Sequence, residues 1–123
     1  MKIAGISLLL GTALLVFAQK GDPAATLFDI GVQDEQSGRL DRAKLSLLTL
    51  ASTYSDSPLA EKAKVEIGAI YIFGEAQTQM RSGRSHDAYN TFNTVTRVYP
   101  ESALAKLASA EMRNLDPEGK WKR

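Results

Sequence analysis

The stretch from Gly38 to Ala63 returns 45 residues later as Gly83 to Ala108. Gly38/Gly83, Arg39/Arg84, Ala43/Ala88, Thr49/Thr94, Tyr54/Tyr99, Ser57/Ser102, Leu59/Leu104, Ala60/Ala105 and Ala63/Ala108 are identical. Leu47/Phe92, Leu50/Val95 and Asp56/Glu101 keep their character. A chain that states one pattern twice at a fixed period folds as stacked units, none of which can bury its apolar face without a neighbour. What each unit is made of follows from the periodicity within it.

That periodicity is helical. Asp22-Pro23 opens a first helix with a carboxylate at the N-cap and proline at N1, and Ser37-Gly38 closes it. A second helix, about 41–54, carries Ala43, Leu47, Leu50 and Tyr54 on one face. Ser57-Pro58 starts a third, which runs to Ser82-Gly83 and has Gly74 in its interior, where a kink or an end is the alternative to continuity. A fourth follows over 85–99 with Ala88, Phe92 and Val95 inward, and a fifth over 103–114, between Pro100-Glu101-Ser102 and Asp116-Pro117. No run alternates in the period of two that a strand needs. The expectation is an all-α domain over 22–115, with a flexible tail over 116–123.

The first 18 residues have another character. Lys2 precedes a weakly polar or apolar run from Ile3 to Phe17, and Val16-Phe17-Ala18 sets small residues on either side of one larger one. This pattern predicts a secretory signal peptide cut after Ala18, since about 15 apolar residues fall short of the roughly 20 a spanning helix needs. The 123 residues contain no cysteine, which excludes disulfides, thiol catalysis and a lipidated N-terminus together. Apart from Lys2, acids and bases balance at 14 each, so no cationic excess exists to hold a nucleic-acid backbone.

The units resemble tetratricopeptide repeats. Ile30-Gly31, Ala43 and Leu47 fit that motif in the first unit, and Ala88, Phe92 and Pro100 fit it in the second. The joints Tyr54-Ser55-Asp56-Ser57-Pro58-Leu59-Ala60 and Tyr99-Pro100-Glu101-Ser102-Ala103-Leu104-Ala105 are similar to those of bacterial envelope repeat proteins. Those include the BamD-like lipoproteins of the β-barrel assembly machinery and the TolA-binding periplasmic coordinator. The resemblance implies antiparallel helix pairs in a short right-handed solenoid, two repeats with a terminal capping helix. It also implies a periplasmic scaffold, placed in outer membrane assembly or envelope maintenance, that holds a protein or peptide partner in its concave groove. In such repeats the groove residues lie on the first helix of each pair. They correspond here to Phe28, Val32 and Glu35, and at the 45-residue shift to Phe73, Gln77 and Met80, with a place in the core as the alternative for Phe28 and Phe73, since aromatic residues at helical spacing usually pack inward. The alternative is a module that associates with its own copies through an open end of the stack.

Nothing in the residue pattern points to catalysis, and no cofactor, metal or small-molecule substrate is expected. His86 is the only histidine, and it reads as a solvated or capping residue at the start of the fourth helix. Asp29, Asp34 and Glu35 read as a solvated helix face, because nothing splits their pKa values as paired catalytic acids require. Arg39, Arg42, Arg81 and Arg84 gather near equivalent turns, where helix C-termini favour cations. An acidic partner is the sharper reading of that edge.

Overall fold

The computed structural model describes residues 21–122, so the leader expected over 1–18 lies outside it. The described chain is all-α: α1 (Pro23–Gln36), α2 (Leu40–Thr53), α3 (Leu59–Arg81), α4 (Ser85–Val98) and α5 (Ala103–Leu115). α2 and α4 start and end 45 residues apart, as do the C-terminal ends of α1 and α3, so the sequence period is also the structural one. α3 passes through Gly74 without interruption.

Local chemistry fixes the boundaries. The Asp22 carboxylate accepts from the Ala24 N–H at 3.1 Å, with Pro23 at the first helical position. Ser57 and Ser102 do the same at equivalent joints, their hydroxyls accepting from Leu59 at 3.1 Å and Leu104 at 2.9 Å. α1 and α3 both end on a glycine in the left-handed region, Gly38 at φ 81° and Gly83 at φ 78°. There the N–H of Arg39 reaches Asp34 O, and that of Arg84 reaches Gln79 O, the six-to-one bond that closes a helix with glycine.

Each helix packs on its successor, and α1 also touches α3 and α5. The seams close tightly because small residues line them: Ala43, Ala63, Ala69, Ala76, Ala88 and Ala108 are all fully buried. Gly31 faces Leu47 so closely that a Cβ there would lie 2.7 Å from Leu47 Cγ. Larger side chains fill the remaining space, namely Leu47, Leu50, Phe92, Val95 and Leu104, each contributing about 1.5–3 kcal/mol through burial.

The C-terminal residues turn back onto the stack instead of trailing from it. The buried Asp116 carboxylate accepts from the N–H groups of Lys120 and Trp121, at 2.9 and 2.7 Å. That turn lays Trp121 against His86, rings stacked 4.2 Å apart, and edge-on to Tyr89. As far as residue 122, the segment expected as a flexible tail makes these contacts because one acid gathers two backbone donors and an aromatic ring packs at the end.

Candidate functional site

Phe28, Val32 and Glu35 fall at i, i+4 and i+7 along one face of α1. Opposite them stand Lys62, Val65 and Glu66 from the first half of α3, and the α4–α5 joint adds Val98, Tyr99, Pro100, Glu101 and Ala103. Between these walls lies an open groove of about 610 Å³ whose lining is mostly apolar. Val65 and Val98 remain 39% and 53% exposed on its rim.

One acid, Glu66, lines this groove, and a second, Glu35, is sealed in the interior next to it. Glu66 is buried, and its two oxygens accept from the Ser102 hydroxyl at 2.7 Å and the Ala103 N–H at 3.2 Å. Since Ser102 is the N-cap of α5, the carboxylate sits at the positive end of that helix dipole and ties α3 to α5. Glu35 is fully buried, and neither of its oxygens meets an N–H or O–H donor. Removal from water, then the hydrogen bond to Glu66 and its charge, pushes the Glu35 carboxyl up to about 9. Glu35 therefore keeps its proton at neutral pH, and only in that form can it donate to Glu66, which has nothing but acceptor oxygens to offer.

This corrects the expected solvated face. Asp29 is exposed, but Asp34 is buried and held by Arg39 Nε at 3.0 Å, and Glu35 is sealed in. Glu66 has an identical counterpart one period on, Glu111, but no spacing in the sequence marks its contact with Ser102. A signal for Glu35 does exist there: its counterpart one period on is Met80, an apolar residue half-buried against the core.

The six residues aligned with the groove do not converge. Phe28 and Val32 line it and Glu35 lies sealed beyond them, whereas Phe73 is buried with its ring edge-on to Phe92 at 5.0 Å. Gln77 borders a separate polar hollow with Asp41, Lys44, Tyr71 and Arg81, and Met80 packs on the core. Helix length is the reason: α3 has 23 residues against 14 in α1, and the 45-residue shift aligns their C-terminal ends. Phe73, Gln77 and Met80 thus fall in the second half of α3, while the groove uses its first half.

The arginine edge is divided among local partners. Arg39 pairs with Asp34, Arg84 with Asp87 at 2.9 Å, and Arg81 donates to the Thr78 hydroxyl at 3.2 Å. His86 stands at the opposite end of α4 from Val98, roughly 20 Å away along the axis. Among the described residues no three acids, histidines or cysteines cluster as a metal site would require, and no helix is long and apolar enough to cross a membrane. Comparison with protein-family models, curated proteins and solved structures found no match for this chain.

Proposed function

We propose that the protein is a non-catalytic interaction module of the bacterial cell envelope, exported by its leader and free of lipid. In this reading its helix pairs are tetratricopeptide-type repeats forming a short right-handed solenoid. The groove between α1, the first half of α3 and the α4–α5 joint is then the concave face that holds a partner protein or peptide. Outer membrane assembly or envelope maintenance is the setting that the Tyr-Pro-Glu-Ser joint suggests, and that joint forms one wall of the groove. The observation that carries the reading is the groove itself: an apolar channel of about 610 Å³ whose rim leaves Val65 and Val98 to solvent.

Co-purification from cell-envelope extract tests it. Val65→Glu combined with Val98→Glu should reduce partner capture at least tenfold, while stability shifts by only about 0.5 kcal/mol per site. Charge reversal at Arg39 and Arg84 serves as the control. Capture lost on reversal but intact in the groove variant would move the interface to the arginine edge.

A further inference from the structure

Every buried acid in this fold has its donors except one. Asp34 has Arg39, Asp116 has two backbone N–H groups, and Glu66 has Ser102 and Ala103. Glu35 is fully buried, and no N–H or O–H donor reaches either of its oxygens. A carboxyl in that position opposes folding above its ordinary pKa, since the only hydrogen bond that offsets its removal from water, the one to Glu66, requires it to keep its proton. The stack does not require it, because the second unit carries Met80 at the equivalent point. Its place on the Phe28–Val32 stripe, against the acid that lines the groove, gives it another use.

We infer that Glu66, with Glu35 sealed behind it, forms the floor of a subsite for one cationic side chain, a lysine or arginine, carried by the segment that the groove holds. This rests on the groove being the binding face. The apolar walls formed by Phe28, Val32, Val65 and Val98 suit the aliphatic stem of such a residue and its apolar neighbours, and the Glu66 carboxylate suits its head. A divalent metal ion fits less well, because two carboxyls and one hydroxyl fall short of the six or more oxygens that calcium takes.

The charged groups around the pair leave this demand unmet. Lys62 lies one turn before Glu66 on α3 but is exposed, and it makes no ion pair with either acid. Glu101, at the α4–α5 joint, adds a further negative charge to the rim, and the Tyr99 phenol is packed against Gly68 of α3. On α1, Asp34 is already paired. An incoming cation would therefore bind the Glu66 carboxylate and favour release of the Glu35 proton, whose carboxyl titrates at about 9.

Hexylammonium is the probe, with hexanol as its neutral match and calcium chloride as the metal control, followed by NMR titration of the groove signals between pH 6 and 9. Hexylammonium should bind at least about tenfold more tightly than hexanol and gain about tenfold across that range, and calcium should leave the signals unmoved. In Glu35→Gln the preference for the ammonium should persist, but its pH dependence should vanish. Equal binding of hexanol, an unchanged pH profile in Glu35→Gln, or displacement by calcium would each overturn the subsite. If hexanol matches hexylammonium while Val65→Glu/Val98→Glu still abolishes capture, the subsite falls and the groove stands. The ammonium preference and pH profile without any effect of those variants on capture would support the subsite and count against the groove as a protein-binding face.

Discussion

Glu35→Gln is expected to stabilise the protein at neutral pH and to remove most of a pH dependence peculiar to the wild type. The folded chain holds a proton on Glu35 up to about pH 9, whereas the unfolded chain releases it above 4.5. Folding therefore takes up a proton throughout that window, and stability falls as pH rises, by up to about 1.4 kcal/mol per unit. Below pH 4.5 both states are protonated and this contribution levels off. Glutamine has the same length, never ionises and can donate its amide N–H to Glu66. Urea unfolding from pH 5 to 8.5 should show the variant ahead by a margin that widens with pH, reaching about 4 kcal/mol near pH 7.5. A constant difference would mean that Glu35 is ionised in the folded protein.

Phe73→Ala is expected to cost about 3–5 kcal/mol, because the ring is buried and packed edge-on to Phe92, and its removal leaves a cavity between α3 and α4. The total stability of a domain this size is about 5–15 kcal/mol, so the variant should unfold at a much lower urea midpoint. Phe28 occupies the same position one period earlier, yet it is only half-buried on the groove wall. Phe28→Ala should cost less than about 2 kcal/mol. Equal losses would make the groove a part of the core that happens to be open, and would leave it without a presenting surface.

The contrast between these two phenylalanines marks where the sequence stops being readable. Helix type, the caps at Asp22, Ser57 and Ser102, and the glycine-closed ends at Gly38 and Gly83 are local, so the residues themselves carry them. Repeat arithmetic also aligned α2 with α4 correctly. It failed for the groove because Phe28 and Phe73 share a position in the period but not an environment. α3 lies between α2 and α4, whereas α1 begins the described stack. The acid pair was hidden for a related reason. Glu66 meets Ser102 across 36 positions, and no spacing within one helix records such a contact. The fold of the tail escaped because it depends on Asp116 gathering backbone donors, a bond that any downstream residue except proline could supply.

Site-specific photo-crosslinking in cells tests the proposed role of the groove most directly. A photoreactive residue at Val65, on the rim, is compared with one at Leu45, which is 67% exposed on α2 and does not border the groove. The proposed function predicts one discrete adduct from Val65, lost when Val98→Glu is added, and none from Leu45. An adduct from Leu45 alone, or one from Val65 that survives Val98→Glu, would contradict it.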